Sequence, residues 1–262
     1  MKRLWMLLAF ALVLPAHAEE ADKILNCMRG NVLPGSQAQE LELSTTDITG
    51  ATRTLKGKLF TTREQLPEAD GLLRATLQIT APEHLVGAAY LLRQTEDRRF
   101  DSMYVYLPSV HRVRRVSTEF ADGSLLGTNF SYYEFKQLTN AFWDLGPKVE
   151  PDAEVDNRDT HVVLFSARPN DTTAIYSSVR VWLDQKTCVP LKAEFYKGDA
   201  LRKRFSAPAK ALQKSGDHWY LTEMEMRDLL DDTRTVLRIV SMTEQKQLPS
   251  RLFDPNLFYR RE

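Results

Sequence analysis

The sequence predicts a mainly β protein built on a single curved antiparallel sheet, and three observations support this fold class. Apolar and polar residues alternate with period 2 through nearly all of the chain after residue 38, as in strands that bury one face. Gly, Asn, Asp and Pro separate these stretches at short intervals, and connections that short join only antiparallel neighbours. Segments with helical spacing are few.

In chain order, the first predicted element is a helix over residues 20–31, where apolar residues recur at helical spacing and a glycine marks the end. A second helix is predicted over 129–143 from a stripe of aromatic and leucine residues. The polar stretch 144–159 that follows it is interpreted as a loose linker. Strands are predicted over 39–47, 52–62, 72–82, 85–94, 101–108, 111–117, 161–169, 174–184, 188–197, 200–213, 218–230 and 233–243.

About a dozen antiparallel strands do not remain flat, because strand twist and unprotected edges favour curling into a barrel or half-barrel. If the curl is incomplete, its concave face is apolar and has to be covered by a helix or by a ligand. We therefore expect one domain over residues 19–262, with helices over an apolar pocket on the concave face.

Residues 1–18 have the pattern of a cleavable signal peptide. Two basic residues precede an apolar run from Leu4 to Leu14, and Ala16-His17-Ala18 provides a small-x-small cleavage site. The apolar run is shorter than the roughly 20 residues that a transmembrane helix needs. The sequence therefore predicts export to the periplasm, as a protein that does not itself span the membrane.

The charge balance disfavours nucleic acid as a partner. Cleavage removes 18 of the 262 residues and leaves 244, with 33 basic and 35 acidic side chains. Proteins that bind nucleic acid generally present a clearly basic surface. We expect no nucleic-acid partner.

The two cysteines, Cys27 and Cys188, form an even pair, which in an oxidising compartment favours a disulfide. The bridge would close a loop of 161 residues and would stabilise the fold by ~5 kcal/mol in the chain-entropy description. Two buried free thiols are the alternative. Neither cysteine has the sequence neighbours of a catalytic thiol.

Motifs for catalysis are missing from the sequence. The nucleophile elbow, the zinc-protease motif, the Walker loop and the dinucleotide fingerprint are all absent, and the five histidines stand far apart. The acidic stretch 228–233 is interpreted as a hairpin turn rather than a metal site. We expect a protein that is not an enzyme, with no catalytic residue, no metal and no cofactor.

The stretch MYVYLPSVHRVRRV (103–116) combines apolar alternation with many basic residues. Its pattern places Met103, Val105 and Leu107 on one face, and a shift of phase near Val116 suggests a β-bulge. Three guanidinium groups are candidates for binding a lipid headgroup or an acidic partner at the cavity mouth. Cross-strand ion pairs on a solvated face are the alternative. The three basic candidates are Arg112, Arg114 and Arg115.

The aromatic block LLGTNFSYYEF (125–135) is either plain core or the lining and cover of the pocket. Gly123 and Gly127 bracket its beginning and would allow it to hinge. Trp182 and Trp219 are further candidates for reaching the cavity. The predicted ligand-cavity residues are Met103, Val105, Leu107, Leu125, Leu126, Phe130, Tyr132, Tyr133, Phe135 and Trp143.

Several segments together resemble one family. GSLLGTNFSYYEF, VRVWLDQKTCVPLKAEFY and LFDPNLFYRR are similar to the outer-membrane lipoprotein-sorting protein-like family, related to the carrier LolA and its outer-membrane acceptor LolB. The resemblance covers almost the whole mature chain. It implies an open, incomplete β-barrel of about eleven antiparallel strands, with helices covering an apolar cavity.

The resemblance also implies a function. Carriers of this fold hold acyl chains in the half-barrel and pass them on without chemistry, and this branch is associated with RND-type (MMPL-like) exporters of the inner membrane. The expected function is that of a periplasmic carrier for hydrophobic or lipid-like cargo. A non-enzymatic envelope interaction or sensor module is the alternative, and an enzyme acting on lipids or glycans is less favoured.

Overall fold

The structure is a computed structural model and describes residues 16–31, 33–66, 69–97, 101–140, 142, 144–171 and 173–260. Its helices are α1 (Ala16–Gly30) and α2 (Tyr132–Asn140). Its strands are β1 (Ser36–Thr46), β2 (Thr52–Leu66), β3 (Ala69–Ala81), β4 (Ala89–Arg93), β5 (Ser102–Leu107), β6 (Arg112–Val116), β7 (Gly146–Val155), β8 (Arg158–Ser166), β9 (Ser178–Asp184), β10 (Pro190–Lys197), β11 (Ala200–Ser206), β12 (Leu212–Ser215), β13 (His218–Leu221), β14 (Glu223–Asp228) and β15 (Thr233–Gln245). Residues 1–15 of the predicted signal peptide lie outside the described residues, and the peptide and its cleavage stay predictions.

Thirteen of the described strands form one antiparallel sheet, in the order β6-β5-β4-β3-β2-β1-β15-β14-β11-β10-β9-β8-β7. The first and last of the described strands, β1 and β15, pair in the middle of this order. The sheet curves without closing into a barrel. The predicted mainly β fold with an incomplete barrel is confirmed, with thirteen strands where the resemblance implied about eleven.

The prediction of a loose linker over 144–159 is wrong, because this stretch contains β7 and the start of β8. β7 is the outermost strand on its side of the sheet, and both of its faces are largely exposed. Such a strand has no apolar alternation, and an edge position tolerates prolines such as Pro147 and Pro151. These features made it look like a linker.

Two predicted strands, 200–213 and 218–230, are each broken into two. β11 ends at Ser206, and Pro208 is followed by a short 3-10 turn over Ala209–Ala211. Proline has no N–H group with which to continue the ladder. The chain therefore leaves the main sheet, forms the separate two-stranded hairpin β12–β13, and returns as β14.

The principal core lies on the concave side of the sheet. It joins apolar residues of the strands to the buried side of α1, including Leu25, and to Phe135 of α2. A second, smaller cluster lies apart from it, where Phe258 of the C-terminal segment packs on Ala89 and Leu91 of β4. No helix in the part of the chain that the structure describes is long and apolar enough to cross a bilayer.

Candidate functional site

A cavity of about 250 Å³ lies between the concave face of the sheet, the two helices and the β12–β13 hairpin. Its walls are mainly aliphatic, methionine and phenylalanine side chains, because alternate residues of each strand point to the same face. The sheet contributes Leu41, Leu59, Leu73, Ala75, Leu92, Val181, Ala193, Phe195, Phe205, Met224, Met226, Leu237 and Ile239.

Helix α1 covers one part of the cavity, with Met28 in the wall. Cys27, the preceding residue, forms a disulfide with Cys188, and the Cα atoms of the two cysteines are 5.8 Å apart. Cys188 lies between β9 and β10 and itself lines the cavity. The predicted cysteine pair therefore attaches this helix covalently to the sheet.

The β12–β13 hairpin covers a second part of the cavity, with Trp219, Tyr220 and Leu221 in the cavity wall. Its position is set by Asn31, which follows α1. The backbone N–H of Trp219 donates to Asn31 Oδ1 at 2.7 Å, and Asn31 Nδ2 donates to the carbonyl of Thr187 at 3.1 Å. One side chain thus ties the hairpin to the turn between β9 and β10.

Helix α2 covers a third part of the cavity, and it begins with a capping box. The backbone N–H of Ser131 donates to Glu134 Oε2 at 2.6 Å, and the N–H of Glu134 donates to Ser131 Oγ at 3.2 Å. This reciprocal pair explains why the helix begins at Tyr132 rather than at residue 129 as predicted. Phe135 and Gln137 then enter the cavity wall.

Glu134 is a buried carboxylate in this wall, and its side chain is held by other protein donors as well. Lys203 Nζ of β11 lies 3.0 Å from Oε2, and the hydroxyl of Tyr176 donates to Oε1. Burial, together with the negative charge of Glu134, raises the pKa of Tyr176 well above its ordinary value. Glu134 therefore fixes α2 to the sheet and to the segment between β8 and β9.

A second buried ion pair holds the next turn of α2. Lys136 Nζ lies 3.7 Å from Asp101 Oδ2, and both side chains are almost fully buried. Tyr133 is also buried, and this burial is the main cause that raises the pKa of its hydroxyl. Polar contacts on several sides thus position the helix over the cavity.

The segment before α2 is attached to the sheet as well. Gly127 has a positive φ of 78°, and its carbonyl accepts a hydrogen bond from Arg53 Nη2. The N–H of Asn129 donates to Thr235 Oγ1 at 2.8 Å, and its Nδ2 donates to Thr233 Oγ1 at 2.5 Å. A hinge at Gly123 and Gly127 stays a prediction, and its opening would break these contacts.

The predicted cavity residues are distributed around this site as follows. Among the described ones, Phe135 lines the cavity. Met103, Val105, Leu125, Phe130 and Tyr133 are buried in the same core, and Leu107, Leu126 and Tyr132 pack against it partly buried. Trp143 lies outside the described residues. Binding of a ligand by any of these residues stays a prediction.

The three candidate arginines do not share one face. β5 and β6 pair in unbroken register from Met103–Val116 to Leu107–Arg112, so the predicted bulge near Val116 is wrong. Directly paired residues share a face, which places Arg112 and Arg114 with the apolar residues of β5 and Arg115 with Tyr104. A short strand exposed at the sheet edge tolerates arginine on both faces, so its sequence need not alternate.

Sequence reasoning missed most of the cavity wall. The wall residues of β1, β2, β9, β11, β14 and β15 belong to strands that were predicted, and their alternation already marks one face as buried. That signal does not separate a cavity wall from ordinary core. Of the two further tryptophan candidates, Trp219 lines the cavity, whereas Trp182 lies on the face opposite Val181.

The chemistry available at the site is binding of apolar groups. Within the described residues, no three His, Cys, Asp or Glu side chains are grouped so that they could hold a metal ion. The carboxylate of Glu134 already interacts with Tyr176, Lys203 and Ser131. What remains accessible is a mainly hydrophobic surface of the type found in ligand pockets.

Comparison with known proteins gives one family match. Residues 72–260 match a family model described as "Uncharacterized protein", which covers well over half of the chain. No curated protein matches the sequence.

Solved structures show the same fold. A domain assigned to outer membrane lipoprotein sorting, from Vibrio parahaemolyticus, gives a TM-score of 0.79 at 21% identity, covering 93% of this chain and 100% of its own. A DUF1329 family protein from Desulfovibrio piger ATCC 29098 gives 0.81 at 18% identity, with coverage of 91% and 97%. A LolA superfamily protein from Nitrosomonas europaea gives 0.68 at 21% identity, with coverage of 89% and 97%. The resemblance drawn from the sequence is confirmed at the level of the fold.

Proposed function

We propose that this protein is a carrier for hydrophobic or lipid-like cargo. The chain belongs to the protein family whose model matches residues 72–260. The cargo occupies the half-barrel cavity and is passed on without chemical change. The observation that carries this proposal is the mainly apolar cavity under α1, α2 and the β12–β13 hairpin. Burial of an acyl chain there is favoured by about 0.8 kcal/mol for each CH₂ group.

The proposal has two further parts, a location in the cell and a partner. Location in the periplasm is supported by the signal-peptide pattern of residues 1–18 and by similarity to structures assigned to outer membrane lipoprotein sorting and to the LolA superfamily. Delivery to or from an RND-type (MMPL-like) exporter is supported by the sequence resemblance. In vivo crosslinking tests that partnership, and capture of no inner-membrane transporter would contradict it.

The first experiment identifies the cargo. The protein is purified from the periplasm without detergent and extracted with organic solvent, and the extract is analysed by mass spectrometry. We expect a lipid in stoichiometric amount. The Ile239→Asp variant is expected to lose it, because Ile239 is a half-buried residue of the cavity wall and a charge there opposes burial of an acyl chain.

The matched control is Val240→Asp on the same strand. Val240 is exposed and does not line the cavity, so this variant is expected to keep the lipid. A protein that carries no lipid and also fails to bind fluorescent fatty acids would contradict the carrier function. Equal loss of lipid in both variants would mean that the cavity is not where the cargo binds.

A further inference from the structure

One edge of the large sheet differs from the rest of the molecule in charge and exposure. β6 is the last strand on its side, with β5 as its single neighbour in the described sheet. A strand in this position leaves one row of its backbone N–H and C=O groups without a strand partner. We call residues 110–120, which comprise β6 and its flanking turns, the β6 edge.

The β6 edge contains three arginines and one carboxylate, that of Glu119, and none of the three arginines forms an ion pair within the described residues. Arg112, Arg114 and Arg115 are all exposed, and within the described chain neither Arg112 nor Arg114 has a hydrogen bond or ion pair. Among the described residues, Arg115 contacts only the hydroxyl of Ser102, at 3.5 Å. The three side chains project on both sides of the strand, so all three reach a surface that approaches this edge.

Arginines on the central strands are arranged differently. Each of five such residues on β11, β14 and β15 has a carboxylate oxygen within 4 Å: Arg202, Arg204, Arg227, Arg234 and Arg238. The arginines of these three strands are therefore paired with carboxylates, whereas the three arginines of the β6 edge are not.

Two large apolar side chains are exposed at the two ends of the same edge. Val110, in the turn before β6, is 48% exposed, and Phe120, in the turn after it, is 69% exposed. They are two of the five large hydrophobic residues exposed in the described chain. The β6 edge thus has an apolar residue at each end and three guanidinium groups between them.

The opposite edge of the sheet has the reverse character. β7 contains Glu150, Asp152 and Glu154 and is interrupted by two prolines. Arg180 pairs with Glu150 there, with Nε 2.7 Å from Oε2. The combination of basic and apolar side chains is therefore specific to the β6 edge and is not shared by the edge strand on the other side of the sheet.

We propose that the β6 edge docks on the surface of an anionic lipid bilayer, with β6 lying along the membrane. Arginines contribute through attraction to acidic headgroups, and apolar side chains insert at the boundary of the acyl region. An acidic peptide added to the strand would use the backbone and the arginines but would leave Val110 and Phe120 in water. The proposal goes beyond the carrier function and does not depend on it.

The test is flotation of the mature protein with phosphatidylcholine vesicles, with and without phosphatidylglycerol. We expect binding only to vesicles that contain phosphatidylglycerol. The triple variant R112Q/R114Q/R115Q is expected to bind about a hundredfold more weakly, at about 1 kcal/mol for each arginine. The matched control R227Q/R234Q/R238Q removes the same charge from β14 and β15 and is expected to bind like the wild type.

A second variant, V110S/F120S, keeps every charge and is also expected to weaken vesicle binding. Equal binding to both vesicle types, or equal loss in the two triple variants, would overturn the proposal. So would binding of poly-glutamate that depends on the three arginines while vesicles are ignored, since this would indicate an acidic protein partner. Fatty-acid binding by the same variants, measured separately, reports on the carrier function and is expected to be unchanged.

Discussion

Two buried tyrosines of the core differ in what their hydroxyl groups contact. The ring of Tyr90 stacks on Tyr132 with centroids 5.6 Å apart and meets Phe135 edge-on at 5.7 Å, but its hydroxyl has no hydrogen-bond partner among the described residues. The hydroxyl of Tyr176 donates to the buried carboxylate of Glu134. A buried polar group without a partner costs free energy, whereas one that satisfies a buried charge stabilises the fold.

The prediction at this scale concerns the pair of variants Tyr90→Phe and Tyr176→Phe. Tyr90→Phe is expected to raise the free energy of unfolding by about 1 kcal/mol, because it removes an unsatisfied hydroxyl and keeps the ring. Tyr176→Phe is expected to lower it by about 1–3 kcal/mol, because Glu134 loses a donor. Urea denaturation measures both. Destabilisation by Tyr90→Phe equal to that by Tyr176→Phe would show that this assignment of contacts is wrong.

At the scale of elements, the two helices over the cavity are held by different kinds of contact. α2 is fixed by its capping box and by the ion pairs of Glu134 and Lys136. α1 is fixed by its buried apolar residues and by the Cys27–Cys188 disulfide. Removal of the disulfide should therefore affect the two helices unequally.

We expect the double variant Cys27→Ser/Cys188→Ser to lose about 5 kcal/mol of stability, because a long loop is no longer closed in the unfolded chain. Amide hydrogen exchange should increase in α1 while α2 keeps its protection. Reduction of the wild type with a thiol should reproduce both effects. Unchanged exchange in α1 would mean that its apolar contacts alone hold it.

At the scale of the whole molecule, buried tyrosines couple the fold to alkaline pH. Tyr90 on β4, Tyr133 on α2 and Tyr176 before β9 are all buried in the core, where the ring centroids of Tyr133 and Tyr176 lie 5.8 Å apart, and burial raises the pKa of each. Their ordinary pKa in an unfolded chain is about 10. In the folded protein they therefore stay protonated at pH values where the unfolded chain ionises.

The sign of the effect follows from proton binding. Above pH ~10 the unfolded state holds fewer protons than the folded state, so stability falls as pH rises, by ~1.4 kcal/mol per pH unit for each such tyrosine. Three of them give about 4 kcal/mol per pH unit. We expect their tyrosinate absorbance to appear together with loss of circular dichroism. Gradual ionisation of all nine tyrosines in a protein that stays folded would contradict this.

The sequence predicted some strands of the fold closely and missed others. Strands β1, β2 and β3 were predicted nearly to their ends, because a strand with one buried face must alternate. β7 was missed because an edge strand with both faces in water carries no such pattern. The β12–β13 hairpin was missed because the alternation of apolar and polar residues continues through Pro208. The hairpin lies outside the main sheet because Pro208 has no N–H group for the ladder and because Trp219 packs in the cavity wall.

The sequence by itself determined the fold class and the antiparallel connections, because these depend on local periodicity and short turns, and its two cysteines left a single possible disulfide. It did not determine which buried residues line the cavity. Leu237 and Leu43 are both buried on strands, yet Leu237 lines the cavity while Leu43 is absent from its wall. That difference depends on which parts of a curved sheet the two helices and the hairpin cover. Contacts between residues far apart in the chain decided it, since no local pattern encodes them.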